Sequence, residues 1–106
     1  VGCSGDDADD VTLVEGRVEK VDAIDNTFRP ESIEVPAGTE VEWTNVGRSS
    51  HDVLPVDEDD WGAPAGSFEP DDVYRHRFVE PGTYAYYCSL HGTTTHGMVG
   101  TVVVTK

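Results

Sequence analysis

The sequence has few basic residues, no long apolar run and almost no helical periodicity. Only seven Lys and Arg residues stand against 21 Asp and Glu, which gives a formal net charge of −14. Nucleic acids and anionic lipid surfaces are poor partners for such a chain because their phosphates would repel it. No segment approaches the roughly 20 consecutive apolar residues of a membrane-spanning helix. The 106 residues leave room for one domain with one core.

The pattern of apolar residues predicts an all-β fold. Short runs of Val, Ile, Thr, Tyr and Phe are broken about every eight to twelve residues by Pro, Gly, Asn or Asp, as in an antiparallel sandwich or barrel. Seven or eight strands fit a Greek-key β-sandwich. The spacing of Val14, Val18, Val21 and Ile24 predicts a first strand with a bulge. Residues 55–72 are rich in Pro and Gly and predict a long loop with room for one helical turn.

Several residues with reactive side chains are interpreted as structural. His76 alternates with Tyr74 and Phe78 on one strand face, which favours a half-buried histidine over a ligand. Packing roles are expected for Trp43 and Trp61. Tyr84 and Tyr86 are expected at core or rim positions and not as redox relays.

One short segment concentrates metal-binding chemistry. Cys88, His91 and Met98 fall within eleven residues, and His51 lies upstream. Two His, one Cys and a weak axial Met are the ligand set of a blue-copper electron-transfer centre. A buried structural thiol, a Cys–His nucleophile and a zinc site are the competing interpretations. The nearby His91 disfavours a buried structural thiol. A Cys–His nucleophile would need an oxyanion hole, which the sequence does not indicate. The soft thioether of Met98 disfavours zinc.

The order of these motifs resembles the cupredoxins, most closely the small plastocyanin-like and halocyanin-like members. The resemblance runs from about Ile24 to Thr105. It implies a cupredoxin-like sandwich that holds one copper ion, with His51, Cys88, His91 and Met98 as the ligands. The landmarks are Thr27-Phe28-Arg29-Pro30, Val35-Pro36-Ala37-Gly38-Thr39, Val41-Glu42-Trp43-Thr44-Asn45, Pro81-Gly82-Thr83-Tyr84 and Gly97-Met98-Val99-Gly100-Thr101-Val102.

The chain departs from this family's pattern in the ligand loop. The usual Met lies eight residues after the Cys, but here Met98 lies ten residues after Cys88 and the eighth position is His96. Either residues 92–95 absorb two extra residues or His96 competes for the axial place. We favour Met98, because its Gly-Met-Val-Gly context is intact, and we expect His96 to be an exposed loop residue.

A second departure follows the first ligand. Many plastocyanin-like proteins have Asn after this His, whereas this chain has Asp52. Its backbone N–H is expected to reach the Cys88 sulfur, a contact that tunes the metal. The role of its carboxylate is left open by the sequence.

The resemblance implies a type 1 copper protein that shuttles single electrons between partners outside the cytoplasm and is not an enzyme. Multicopper oxidases and copper nitrite reductases need further His ligands, and this chain has four His in all. Two alternatives stay open: a copper-binding or delivery protein, and an open copper site that reacts with a small molecule such as nitric oxide.

The acidic charge predicts a basic redox partner, such as a cytochrome or a membrane oxidoreductase, for a monomeric protein. Acidic runs at 57–60 and 69–72 resemble the acidic patches of photosynthetic plastocyanins. A solvated loop in a chain that is acidic everywhere explains the same runs equally well.

The N-terminus predicts a tether. Residues 1–10 are rich in Gly, Ser and Asp, and the domain is expected over 11–106. Val1-Gly2-Cys3-Ser4-Gly5 resembles the end of a lipobox, so Cys3 is predicted to carry a lipid anchor. An artefact of protein production and a free thiol are the alternatives. Either anchored or released, the protein is expected in the periplasm or at the outer face of the cytoplasmic membrane.

Overall fold

The computed structural model describes residues 16–57 and 59–106. Its described part is all-β, with eight strands and no helix. Accordingly, it contains no helix with the length and apolarity that crossing a membrane requires. The strands are β1 (Val18–Ile24), β2 (Thr27–Arg29), β3 (Ser32–Pro36), β4 (Thr39–Asn45), β5 (Leu54–Pro55), β6 (Val73–Phe78), β7 (Gly82–Gly92) and β8 (Gly97–Thr105).

The strands form two four-stranded sheets. The first has the order β2-β1-β4-β6 and the second has the order β3-β8-β7-β5. This confirms the predicted β-sandwich of seven or eight strands. The expectation of antiparallel pairing was wrong for two strand pairs, because β1 pairs with β4 and β3 pairs with β8 in parallel. Sequence periodicity is the same in both orientations and therefore cannot distinguish them.

The core lies between the two sheets and follows a period of two. Along β4 every second residue is buried, and β8 shows the same alternation from Met98 to Val104. Trp43 of the first sheet meets Tyr86 of the second edge to face, with ring centroids 5.4 Å apart. Trp43 also stacks on Trp61 at 5.8 Å. Both tryptophans therefore pack in the core as predicted.

The first strand is more regular than expected. The described residues of β1 pair with β4 in continuous register from Val18 to Ala23, without a bulge. Val18 is exposed, whereas Val21 and Ala23 are buried. The uneven spacing therefore arose because Val18 faces solvent and does not belong to the buried set. Val14 lies outside the described residues.

The long connection between β5 and β6 is irregular and has no helical turn in its described residues. An isolated bridge joins Val53 to Ala63, and the Gly62 N–H donates to the Tyr74 hydroxyl at 2.6 Å. His76 is half-buried and stacks on Trp61 with ring centroids 5.8 Å apart. The loop is thus fastened to the inner face of β6, and His76 has the structural position expected of it.

Candidate metal centre

Three side chains from two segments converge at one end of the sandwich. Nδ1 of His51 lies 3.6 Å from the Cys88 sulfur, and Nδ1 of His91 lies 3.7 Å from it. The three donor atoms all lie within 4.8 Å of one another. His51 and Cys88 are fully buried, whereas His91 is partly exposed. Two nitrogens and one sulfur therefore lie close together, and of the three side chains only His91 has an edge exposed to solvent.

The loop after β4 places His51. The buried side chain of Asn45, the last residue of β4, donates from Nδ2 to the carbonyls of Ser49 and Phe68 at 2.9 and 3.0 Å. Its Oδ1 accepts from the Gly47 N–H at 2.9 Å. The His51 N–H then donates to the carbonyl of Phe68 at 3.2 Å. The Asn45 side chain thus stabilises the loop that leads from β4 to His51.

Cys88 and His91 lie near the end of β7, where that strand leaves its partner. The pairing of β7 with β8 is regular up to Tyr87 and resumes only at Gly92. Cys88 continues the inward face that carries Tyr86, and both are buried. The interruption frees the residues from 88 to 91 from the sheet and lets His91 turn back towards the sulfur.

Asp52 joins the two segments, and its carboxylate has a defined role. Its N–H donates to the Cys88 sulfur at 3.5 Å, as predicted. Its carboxylate accepts from the Ser89 N–H at 2.7 Å and from the Ser89 hydroxyl at 2.6 Å. Asp52 is only 1% exposed. Both polar ends of this residue therefore hold the His51 segment against the Cys88 segment.

Asp25 is a further residue at the site that the sequence did not indicate. Its Oδ1 lies 3.1 Å from Nε2 of His51, on the opposite side of the ring from the sulfur. It comes from the turn between β1 and β2, 26 residues before His51. In the sequence, Asp25 is only an acidic residue in a turn. Acidic residues are too common in turns for this one to be singled out.

The structure distinguishes Met98 from His96. Met98 is fully buried near the start of β8, whereas His96 is exposed and its Nδ1 lies 2.8 Å from the Thr95 hydroxyl. Among the described residues, the cluster of His, Cys, Asp and Glu side chains contains His51, Cys88 and His91 but not His96. The axial role of Met98 remains a prediction.

The donor set fits a soft metal ion. Burial raises the pKa of the Cys88 thiol, and the amide N–H of Asp52 opposes that rise. A thiolate in such a place needs a nearby cation, and a bound metal supplies one. Two imidazole nitrogens are already turned towards the sulfur. These residues therefore match a copper ion, which favours thiolate and imidazole donors.

The comparisons with known proteins agree with this chemistry. A family model described as copper binding proteins, plastocyanin/azurin family, matches residues 16–105. The chain belongs to this family.

A plastocyanin from Dryopteris crassirhizoma is 34% identical over 104 residues, covering 83% of this chain and 98% of that protein. A purple cupredoxin from Nitrosopumilus maritimus is similar in structure, with a TM-score of 0.66 and 27% identity over 81% of this chain and 98% of the other. The predicted cupredoxin resemblance is confirmed, and copper is the cofactor of the family.

One similar structure belongs to an enzyme. A copper-containing nitrite reductase from Thermus scotoductus SA-01 has a TM-score of 0.73 and 28% identity over 88% of this chain. This cupredoxin spans only 23% of that reductase chain. The likeness therefore extends to one domain-sized part of the enzyme.

Proposed function

We propose that this cupredoxin carries single electrons through one type 1 copper ion held by His51, Cys88, His91 and Met98. The observation that supports it best is the convergence of two Nδ1 atoms on a buried sulfur, at 3.6 and 3.7 Å. A copper ion bound there supplies a one-electron couple between Cu(I) and Cu(II). The chain is proposed to act as a carrier, with no enzymatic activity of its own.

The protein fixes the positions of the donor atoms and shields them from water. Asn45, Asp52 and the β-sandwich fix the two ligand segments before any metal arrives, which keeps reorganisation small. His51 and Cys88 are buried, so water has no direct access to them. His91 is partly exposed, and its neighbour Leu90 is 50% exposed. We infer that electrons pass through the His91 edge.

The deciding experiment exchanges each cysteine in turn. Cys88→Ser should abolish the intense thiolate-to-copper absorption of the copper-loaded protein, because a hydroxyl does not replace the soft donor. The matched control is Cys3→Ser, which removes the chain's other thiol and should leave the band unchanged. A band that survives Cys88→Ser would overturn the ligand assignment.

A copper-delivery role is separated from electron transfer by what happens to the metal during cycling. An electron carrier should retain its copper through repeated reduction and reoxidation in the presence of a competing Cu(I) chelator. A delivery protein would lose the metal to that chelator in the reduced state. The rigid, buried donors favour retention.

We propose a basic redox protein as the partner of a monomeric carrier. Asp57, Asp59 and Asp60 are exposed, and Asp59 contributes to a cleft of about 430 Å³. Tyr87, which immediately precedes Cys88, lines the same cleft. A cationic surface seated there would approach the chain segment that leads directly to the sulfur.

We also propose an extracytoplasmic location with a lipid anchor on Cys3, carried by a tether over 1–10 and followed by the domain over 11–106. Cys3 and the tether lie outside the described residues, so the support comes from sequence alone. The native protein should partition with membranes, whereas its Cys3→Ser variant should be released. Mass spectrometry of native protein showing unmodified Cys3 would exclude the anchor.

A further inference from the structure

The parallel pairing of β1 with β4 places Asp25 next to the candidate metal centre. It lies in the two-residue turn after β1, where Ile24 pairs with Thr27 across the hairpin. Ala23 of β1 lies opposite Asn45 of β4, and the Val46 N–H donates to the carbonyl of Ala23 at 3.0 Å. The chain that leaves β4 towards His51 therefore passes directly beside this turn.

That passing segment forms a cradle around the Asp25 carboxylate. The Arg48 N–H lies 3.1 Å from each carboxylate oxygen, and the Ser49 N–H donates to Oδ1 at 3.2 Å. A Cβ atom on Gly47 would overlap the carboxylate, so glycine leaves the space that the carboxylate fills. The Arg48 amide holds the pKa of Asp25 below its usual value. The carboxylate is therefore ionised at neutral pH.

The carboxylate also decides which nitrogen of His51 carries the proton. Its Oδ1 lies 3.1 Å from Nε2 of a ring that is fully buried. A carboxylate accepts but does not donate, so in the neutral ring, the form that binds a metal, Nε2 carries the hydrogen and Nδ1 presents its lone pair. Nδ1 is the atom that faces the Cys88 sulfur at 3.6 Å. The contact thus fixes both the tautomer and the orientation of the ring.

We propose that Asp25 is a positioning residue for His51 and that its negative charge stabilises Cu(II) over Cu(I), an inference that rests on the copper function proposed above. Carboxylates that hold the second nitrogen of a metal-bound histidine orient the ring and raise its basicity. The oxidised ion carries one more positive charge and gains more from a nearby anion. The side chain of Asp25 is itself 36% exposed, so solvent screens part of this interaction, but the contact with Nε2 lies against a ring that is fully buried.

The charge is tested by Asp25→Asn, which retains an oxygen that accepts from Nε2–H and removes the charge. We expect the equilibrium constant for reduction of the copper to rise about tenfold, which is about 59 mV for a one-electron couple. The matched control is Asp22→Asn, an equal change of charge on an exposed residue of β1. It should change that constant less than about twofold, because exposed charges are screened by salt. Equal shifts in the two variants would overturn the proposed role of the charge.

The positioning role is tested without copper. In the metal-free protein, at a pH where the ring is neutral, nitrogen NMR of His51 should show a protonated Nε2 and a bare Nδ1. Asp25→Ala should produce a mixture of tautomers and weaken Cu(II) binding roughly 10–100-fold, whereas Asp25→Asn should keep the original tautomer. An unchanged tautomer in Asp25→Ala would overturn the positioning role. Since this readout needs no metal, it distinguishes a failure of this inference from a failure of the copper assignment.

Discussion

Met98 and His96 are two residues apart but occupy opposite environments. Met98 is buried at the start of β8, and His96 stands in solvent at the tip of the ligand hairpin. A thioether ligand would reach a bound copper ion from inside the fold, because Met98 is buried and His91 is the ligand with a partly exposed edge. Burial therefore favours the thioether, in agreement with the Gly-Met-Val-Gly context of the sequence.

Exchanging each of the two residues tests this choice. Met98→Leu should raise the reduction potential and leave a coloured site, because even a weak axial donor stabilises Cu(II). The swap conserves volume, so the stability of the metal-free protein should change by less than about 1.5 kcal/mol. His96→Ala is the control and should leave both the spectrum and the potential unchanged. An altered spectrum in His96→Ala with none in Met98→Leu would reverse the assignment.

His76 carries a second prediction at this scale. Desolvation lowers the pKa of this half-buried ring below the ordinary value of 6.5. The unfolded chain therefore binds a proton more readily than the native protein, and stability is lost as pH falls from 6.5 through the native pKa. His76→Phe retains an aromatic ring against Trp61 and removes the titration. Urea unfolding of the metal-free protein at several pH values should show a shallower acid loss in the variant. Parallel curves would contradict the prediction.

The ligand hairpin, residues 88–98, closes through backbone contacts at its tip. The β7 and β8 strands meet again at Gly92 and Gly97, beyond His91, and the Thr93 N–H donates to the carbonyl of His96 at 2.8 Å. The Thr93 hydroxyl accepts from the His96 N–H at 3.2 Å. Residues 93–96 thus form the tip of the hairpin, and Met98 is in phase with the buried face of β8.

This hairpin depends on the backbone of Gly97. Its φ is +85°, and an added Cβ would lie 2.8 Å from the carbonyl oxygen of His91. Gly97→Ala should therefore lower the free energy of unfolding by more than the roughly 1–2 kcal/mol of a left-handed alanine, and should alter the copper spectrum. Chemical unfolding and visible absorption measure the two effects.

The matched control for that variant is Gly66→Ala. Gly66 has a similar φ of +91°, but an added Cβ would meet nothing within 4 Å. The Gly66→Ala variant should lose only the free energy that a left-handed alanine costs, and its copper spectrum should stay unchanged. Identical losses in both variants would show that the close approach of Gly97 to His91 has no energetic consequence.

The elements also show how far sequence reasoning reaches. Period-two patterns in β4 and β8 were sufficient to predict strands around a core. The convergence of His51 with Cys88 and His91 was implied by the resemblance of the ordered motifs to the cupredoxins. The parallel neighbours and the position of Asp25 were not predictable, because they depend on which distant strands pair. The contact between Asp52 and Ser89 was missed for the same reason, since it joins residues 37 positions apart.

At the scale of the whole molecule, charge is unevenly distributed. All 21 acidic residues precede position 81, so β7, the ligand hairpin and β8 contain none. The hairpin tip is neutral and exposed, whereas Asp57, Asp59 and Asp60 are exposed in the loop beside the Tyr87 cleft. The proposed cationic partner would thus be attracted by one region and would reach the His91 edge without meeting an acidic side chain in the hairpin.

Association with a basic redox protein should therefore slow steeply as salt is added. Electrostatic steering can raise association rates from about 10⁵–10⁶ M⁻¹s⁻¹ to 10⁸–10⁹ M⁻¹s⁻¹ at low salt, and its range falls to about 8 Å at physiological ionic strength. Stopped-flow electron transfer to a cationic cytochrome at several salt concentrations measures this dependence. A rate that does not change with salt would contradict steering by the acidic surface.

The position of the attraction is tested by two matched variants. One neutralises the loop acids Asp57, Glu58, Asp59 and Asp60, and the other neutralises Asp6, Asp7, Asp9 and Asp10 of the proposed tether. Each removes four charges, so diffuse steering by the net charge predicts equal slowing. Docking at the cleft predicts a larger loss for the loop variant, because Asp59 lines the cleft together with Tyr87 and would act at short range, where salt screens least. Equal rates in the two variants would therefore assign the attraction to the molecule as a whole, and a greater loss in the loop variant would locate it beside the segment that leads to Cys88.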